Sequence, residues 1–166
     1  MAHNRTRASI LAGLGLAMVL AATTPCVAET GLPLPRFVSL RADEVNLRAG
    51  PGTSYPVEWV LLRRDWPVEI IAEYETWRRI RDVDGTVGWV HQTMLSGDRT
   101  VIVTDAAQTL LASPEASSAP VLRAEPGVVG ALLTCNPDRC RVEIDGVRGW
   151  IDRAHVFGVR PDETFE

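Results

Sequence analysis

Residues 78–90 read RRIRDVDGTVGWV, in which polar and apolar residues alternate on both sides of Asp84-Gly85. This alternation predicts β-strands that are buried on one face. Asp-Gly between two such runs predicts a tight hairpin turn. Residues 139–151 read RCRVEIDGVRGWI, so the Asp-Gly and Gly-Trp pairs both recur 61 residues later. A period of this length predicts one small β-unit used twice.

Short runs of β-branched and aromatic residues fill the rest of the first half. They cover residues 37–40, 44–48, 57–62, 68–74, 77–83 and 87–90. Gly, Pro and Asp separate the runs, and no stretch carries a sustained helical apolar stripe. The sequence therefore predicts an all-β fold with a first unit at 37–97 and a second unit at 99–158. An extended lead-in at 29–36 precedes them, and a C-terminal tail at 159–166 follows.

The first 28 residues have the layout of a secretory signal peptide. Arg5 and Arg7 precede an uncharged, mostly apolar run at 10–22, and Cys26-Val27-Ala28 offers small residues for cleavage after Ala28. An uncleaved membrane anchor is the alternative, but the run is shorter than the roughly 20 residues that span a bilayer. We expect a periplasmic protein that has no membrane contact after its signal is cleaved.

The charge of the chain disfavours one class of partner. All 17 basic side chains are Arg, and 21 acidic residues bring the formal net charge to −4. A nucleic-acid binder usually shows a basic stripe and a high isoelectric point, so no nucleic-acid partner is expected. Hydrophobic residues make up 46% and charged residues 23%, which is typical of a folded soluble domain.

Two cysteines remain after the signal peptide, Cys135 and Cys140. An even pair in an oxidising compartment predicts a disulfide, and the turn residues Asn136-Pro137-Asp138 would bring the two side chains together. A metal site is disfavoured because no second Cys or His pair lies at ligand spacing. A reduced buried pair is the other alternative, and it applies if the protein is not exported.

Three motifs of the first unit resemble the bacterial SH3 domain family. They are VNLRAGPGTSY at 45–55, WRRI at 77–80 and GWV at 88–90. The second unit is a degenerate copy that keeps the Gly-Trp pair but has TLLASP at 109–114. The whole arrangement is similar to exported two-repeat periplasmic proteins of alphaproteobacteria. The resemblance implies two tandem SH3-like β-barrels that bind ligands.

The sequence contains few residues that are suited to catalysis. His91 and His155 are the only histidines outside the signal peptide, and the Gly-x-Ser-x-Gly elbow of a hydrolase does not occur. Residues 82–85 look like half of a Ca²⁺ loop, but they lack its other acidic positions. We therefore expect no enzyme activity, no cofactor and no metal.

The binding residues are expected in the first unit, which holds four of the five Trp residues. Aromatic faces and Arg side chains suit sugar rings and carboxylates. The candidate ligand-binding residues are Asn46, Arg48, Tyr55, Trp59 and Trp77. Trp89 and Trp150 are assigned to the cores, because both units keep them.

Two functions fit this pattern. The first is a non-catalytic periplasmic module that recognises peptidoglycan or its stem peptides, in a groove between the loop at 50–55 and Trp77. The second is an envelope protein–protein adaptor that binds an extended peptide segment of a partner. The second unit, whose loop at 112–120 has no aromatic residue, is predicted to be a structural partner without a second binding site.

Overall fold

The computed structural model describes residues 30–161, 163 and 164. The predicted signal peptide at 1–28 lies outside these residues. In the described part of the chain, no helix is long and apolar enough to cross a membrane.

The first unit is one antiparallel sheet of seven strands. They are β1 (Arg36–Leu40), β2 (Val45–Arg48), β3 (Val57–Leu61), β4 (Pro67–Tyr74), β5 (Trp77–Arg81), β6 (Val87–His91) and β7 (Leu95–Ser96). Their order in the sheet is β3-β2-β6-β5-β4-β1-β7, and a 3₁₀ turn at Gln92–Met94 joins β6 to β7. Each of the six predicted runs contains a strand, so the all-β prediction is confirmed.

The second unit repeats this topology. Its strands are β8 (Thr100–Val103), β9 (Gln108–Leu111), β10 (Pro120–Ala124), β11 (Val129–Cys135), β12 (Arg139–Ile144), β13 (Val147–Asp152) and β14 (Val156–Phe157). The order is β10-β9-β13-β12-β11-β8-β14. In neither unit do the two edge strands pair with each other among the described residues. Each sheet curls around its own core. Because the edge strands do not pair, neither barrel is closed among the described residues.

Core packing requires the glycine of each repeated Gly-Trp pair. Gly88 faces the core of the first unit, where a Cβ atom would lie 2.5 Å from Cγ of Leu47. Gly149 occupies the same place in the second unit, and its Cβ would lie 2.8 Å from Cβ of Leu110. Leu47 and Leu110 are both fully buried. Glycine is required at these positions because any side chain would displace a core leucine.

The predicted disulfide is confirmed. Cys135 and Cys140 are cross-strand partners on β11 and β12, and their sulfur atoms are bonded. The Asn136 side chain closes the turn between them by accepting from the backbone N–H groups of Asp138 (3.0 Å) and Arg139 (2.7 Å). Both half-cystines belong to the core cluster of the second unit. The bond therefore fastens a hairpin whose end is part of the core.

Cys135→Ser is expected to lower the free energy of unfolding of the second unit by about 2 kcal/mol, because the unfolded chain loses a short cross-link. Thermal unfolding followed by circular dichroism measures the change, with the parent chain in reducing agent as a control. Ligand affinity of the first unit is expected to stay unchanged. Free thiols titrated in protein purified without reducing agent would contradict the disulfide.

The two units pack through a small buried polar cluster. The hydroxyl oxygens of Ser39 and Thr100 lie 2.7 Å apart, and both residues are buried. The Thr100 hydroxyl donates to the carbonyl oxygen of Asp65 at 2.7 Å. The Ser39 hydroxyl lies 2.7 Å from the carbonyl oxygen of Asp98. Because buried polar groups are costly to leave unpaired, this cluster defines how the units meet.

Aromatic and arginine contacts extend this interface. The rings of Phe37 and Phe157 meet edge to face at 5.0 Å between centroids. Arg63 donates to the carbonyl oxygen of Gly127 at 2.8 Å, and Arg160 donates to that of Pro35 at 3.0 Å. Phe37 is buried although it belongs to neither core cluster. The units are therefore held side by side by direct contacts.

Two carboxylates form the contacts that connect the lead-in and the tail to the two units. Glu73 accepts hydrogen bonds at 2.9 Å from the N–H group and the hydroxyl of Thr30 in the lead-in. Glu163 in the tail pairs with Arg99, which lies between the two units. For both glutamates burial raises the pKa, but hydrogen bonds and nearby arginine charge outweigh it and hold the pKa below its ordinary value.

Candidate functional site

The loop between β2 and β3 is shaped by Arg48 and Gly50. Nη1 of Arg48 donates to the carbonyl oxygens of Thr53 (3.2 Å) and Tyr55 (2.7 Å). A Cβ atom on Gly50 would lie 2.4 Å from the Tyr55 ring, so the ring packs directly against the glycine backbone. Tyr55 still exposes 45% of its surface. Arg48 thus positions the loop that presents Tyr55 to solvent.

Strand register places several aromatic and charged side chains on the outward face of the first unit. Arg48 lies opposite Trp89, which in turn lies opposite Arg79. In the next row, Trp77 lies opposite both His91 and Tyr74. Residues directly opposite in a sheet share a face. We call this surface the outer platform, and its members are Arg48, Tyr74, Trp77, Arg79, Trp89 and His91.

The rings of Trp77 and His91 meet edge to face, with 5.5 Å between their centroids. The His91 ring nitrogen Nδ1 lies 2.8 Å from the Thr93 hydroxyl at the start of the 3₁₀ turn. These contacts hold both rings in place at the ends of β5 and β6. The result is a fixed aromatic corner at one side of the outer platform.

Arg78 points away from this surface and is buried. Its Nε lies 3.3 Å from the Glu73 carboxylate, and its Nη2 donates to the side-chain oxygen of Gln92 at 2.7 Å. Its Nη1 donates to the backbone carbonyl oxygens of Glu75 and Trp77. Arg78 is therefore a structural cation inside the first unit and cannot contact a ligand on the outer platform.

Arg79 is the free cation of the outer platform. It is exposed, and within residues 30–161, 163 and 164 it makes no ion pair and no side-chain hydrogen bond. Two other arginines of the first unit are already engaged, since Arg63 donates to the carbonyl oxygen of Gly127 and Arg64 lies 3.5 Å from Asp43. A guanidinium without a partner in the described part of the chain, beside two Trp residues, is suited to a carboxylate from outside.

The assignment of Trp89 and Trp150 to the cores is wrong. Both are only partly buried, and neither belongs to a core cluster. Successive residues in a strand point to opposite faces, so the inward Gly88 and Val90 send Trp89 outward. That alternation was the signal available in the sequence. It makes Trp89 a platform residue that the sequence interpretation missed. Arg79 is one of the first-unit Arg side chains that the sequence interpretation found suited to carboxylates, although it was not among the candidate ligand-binding residues.

The remaining sequence-predicted residues lie at or near the outer platform. Asn46 is exposed on β2, two residues before Arg48 and therefore on the same face. Trp77 belongs to the platform, and the Tyr55 loop is attached to it through Arg48. Trp59 is 60% exposed on β3 opposite Leu47, so it lies on the other face of that strand. The structure thus groups Asn46, Arg48 and Trp77 on one face and separates Trp59 from them.

The second unit keeps only part of this surface. Trp150 lies opposite Leu111 and Arg141, which take the places of Arg48 and Arg79. Arg139 lies opposite Asp152, where the first unit has Trp77 and His91. The aromatic corner is therefore replaced by a pair of charged residues next to the disulfide.

The acidic residues at 82–85 serve the hairpin turn. The buried Asp82 carboxylate accepts from the backbone N–H groups of Asp84 (3.0 Å) and Thr86 (2.7 Å). The predicted Asp-Gly turn is thus confirmed, with Gly85 at a φ of 83°. Over the described residues, no group of three or more His, Cys, Asp or Glu side chains is placed to hold a metal ion.

A cavity of about 530 Å³ opens in the second unit beside the disulfide hairpin, between Pro137 and Pro161. Arg153 lines it, and Nη1 of Arg153 already donates to the carbonyl oxygens of Asn136 (3.1 Å) and Pro137 (3.3 Å). The Arg153 guanidinium is thus occupied by backbone carbonyl groups of the protein itself. The cavity belongs to the second unit and is separate from the outer platform.

Residues 41–97 and 105–158 match the family model described as bacterial SH3 domain. The chain belongs to the bacterial SH3 domain family. The resemblance drawn from the motifs at 45–55 and 88–90 is confirmed, and the degenerate second unit is a member as well. The matched residues contain β2 to β7 of the first sheet and β9 to β14 of the second. No curated protein matches the chain.

Three solved structures show a distant likeness to the two SH3 units. NlpC2 from Trichomonas vaginalis has 13% identity and a TM-score of 0.35, with 74% of this chain and 48% of that chain covered. NlpC1 from the same organism has 14% identity and a TM-score of 0.35, with 86% and 51% covered. An NlpC/P60 family protein from Bacillus cereus has 13% identity and a TM-score of 0.33, with 75% and 56% covered. The chain spans about half the length of these proteins.

Proposed function

We propose that the protein is a non-catalytic periplasmic module that binds peptidoglycan or its stem peptides on the outer platform of the first SH3 unit. The observation that carries this proposal is Arg79, an exposed guanidinium with no partner in the described part of the chain, next to Trp89 and Trp77. Stem peptides end in carboxylates, which arginine binds with two parallel hydrogen bonds.

The aromatic corner supports the same ligand. Trp77 and His91 are held by their mutual contact, and Tyr74 is exposed beside them. Rigid aromatic faces bind sugar rings and peptide backbones at low cost in side-chain entropy. The Tyr55 loop borders this surface, so a ligand that spans the platform would also meet the Tyr55 ring. Export through the signal peptide at 1–28 is part of the proposal, since the wall lies outside the cytoplasm.

Arg79→Ala is expected to weaken retention on purified sacculi by about tenfold or more, because a charge-assisted hydrogen bond contributes on the order of 1.5–3 kcal/mol. Cosedimentation of the chain from residue 29 onward with sacculi at physiological salt measures the change. Trp77→Ala is expected to weaken retention as well, through loss of the aromatic face.

Arg141→Ala is the matched control, because Arg141 has the place of Arg79 in the second unit and is also exposed. It is expected to leave retention unchanged. Sacculi that retain none of the parent protein would refute the proposal. Equal losses of retention in the Arg79 and Arg141 variants would contradict the assignment of the site to the first unit.

A further inference from the structure

Exposed apolar side chains concentrate at one edge of the first unit. Nine large apolar residues are exposed in the described part of the chain, and five of them fall between residues 55 and 62. They are Tyr55, Val57, Trp59, Val60 and Leu62. Three belong to β3, which has a neighbouring strand on one side only. Such an edge offers unpaired backbone N–H and C=O groups beside side chains that gain from burial.

The matching edge of the second unit has different chemistry. By their cross-strand partners, Pro120 and Arg123 of β10 take the places of Val57 and Val60 of β3. Proline cannot donate a ladder hydrogen bond, and an exposed arginine opposes burial, so both residues protect an edge from pairing. One chain thus carries a protected edge and an open edge at equivalent positions. The open edge belongs to the first unit, which holds more of the aromatic residues.

A groove that contains the carboxylates of Asp84 and Asp105 continues from the C-terminal end of β3. Cavities of about 250 and 360 Å³ share Trp66 and Asp84, and the second extends to Asp105 of the second unit. Asp84 makes no ion pair within residues 30–161, 163 and 164. Arg63, the cation that lines the first cavity, is held over the Trp66 ring at 5.4 Å and bonded to a backbone carbonyl. Asp84 is therefore a carboxylate without an ion-pair partner among the described residues, whereas Asp105 already lies 4.0 Å from Nδ1 of His155.

We propose that β3 accepts an extended segment of a protein partner as an added antiparallel strand. Every strand pair of this sheet is antiparallel, so the N-terminal end of the segment would reach the groove. Apolar side chains of the segment cover Val57 and Val60, and a basic residue at its N-terminal end meets Asp84 and Asp105. Charge complementarity selects this occupant, because a carboxylate gains most from an opposite charge in a partly enclosed groove.

A second copy of the chain fits the same edge poorly. An antiparallel pairing of β3 with β3 of a copy would bring residues 53–56 of the copy to the acidic groove. That segment reads Thr-Ser-Tyr-Pro and has no basic side chain, and Pro56 lacks a backbone N–H. The Asp84 carboxylate would stay without an ion-pair partner, whereas a partner segment with a basic end supplies one.

The probe is a capped peptide of about eight residues, within the usual strand length, with a pair of Arg followed by alternating Val and Thr. A second peptide carries a pair of Glu in place of Arg. Titration calorimetry of the chain from residue 29 onward is expected to show about tenfold tighter binding of the Arg peptide, with a difference that shrinks at high salt. Saturation is expected to slow hydrogen exchange at alternate amides of β3.

Val60→Arg copies the protected edge of the second unit and is expected to weaken binding of the Arg peptide by about tenfold. Val121→Arg places the same charge on the edge of the second unit and is expected to change nothing. Asp84→Asn, which leaves the apolar edge intact, is expected to reduce the preference for Arg over Glu.

Equal binding of the two peptides, or unchanged exchange at β3 on saturation, would overturn the proposal. So would a concentration-dependent dimer in sedimentation that Val60→Arg abolishes, because a second copy would then occupy the edge. Arg79→Ala should leave peptide affinity unchanged while it weakens binding to sacculi. Failure of the edge proposal and failure of the wall-binding proposal are thus distinguishable.

Discussion

Glu73→Gln is expected to lower the free energy of unfolding of the first unit by about 3 kcal/mol at neutral pH, as removal of one member of a buried ion pair does. The Glu73 side chain is fully buried, and its carboxylate lies 2.5 Å from Nη2 of Arg36 and 3.3 Å from Nε of Arg78. The arginine side chains are themselves 18% and 5% exposed. The amide leaves both guanidinium groups without their counterion.

The same substitution is expected to flatten the acid side of the stability profile. Burial raises the pKa of Glu73, but hydrogen bonds from Thr30 and Arg36 and the Arg36 charge outweigh it, so the folded pKa lies below the ordinary 4.5. A lowered folded pKa contributes stability that is fully present above about pH 4.5 and is lost as pH falls through the folded value. Glutamine at this position has no such contribution to lose.

Urea unfolding followed by tryptophan fluorescence measures the effect, since four of the five Trp residues lie in the first unit. Glu44→Gln, at an exposed position before β2, is the control and is expected to stay within about 0.5 kcal/mol of the parent. A Glu73→Gln chain as stable as the parent at pH 7 would show that the buried pair contributes nothing.

Gly158→Ala is expected to lower the free energy of unfolding by at least about 3 kcal/mol, because strain at a disfavoured φ adds to a clash with the backbone. Gly158 follows β14 at a φ of 125°. A Cβ atom there would lie 2.3 Å from the Thr100 carbonyl oxygen and 2.9 Å from the Val101 Cα. Neither backbone atom can move without displacing β8, which also forms the contact between the units.

Gly146→Ala separates backbone strain from the clash. Gly146 has a φ of 78° in the Asp-Gly turn, and no atom lies within 4 Å of its Cβ position. Its loss is expected to be about 1 kcal/mol, the cost of a left-handed alanine. Chemical unfolding of both variants gives the comparison. Equal losses in the free energy of unfolding at the two positions would contradict the expected clash. They would mean that the chain moves Gly158 away from β8 without a loss of stability.

The sequence by itself determined the strands, their turns and the duplication. Period-two alternation, Asp-Gly turns and the 61-residue recurrence are local patterns. Each states which residue types follow one another, and strand formation depends on that order. The disulfide followed from the same kind of information, because Cys135 and Cys140 flank turn residues at hairpin spacing. A part of the candidate surface was also predictable, since Arg48 and Trp77 belong to the outer platform and Asn46 lies on the same face.

The tertiary structure alone decided which charges are free to bind. Arg78 and Arg79 are neighbours of the same type, yet the first is buried against Glu73 and the second faces solvent without a partner among the residues that the structure describes. Arg48 is used to hold its own loop. The contacts that settle these roles join residues distant in sequence, such as Thr30 with Glu73. No local pattern encodes them, because they depend on how the curled sheet brings β2, β4, β5 and β6 together.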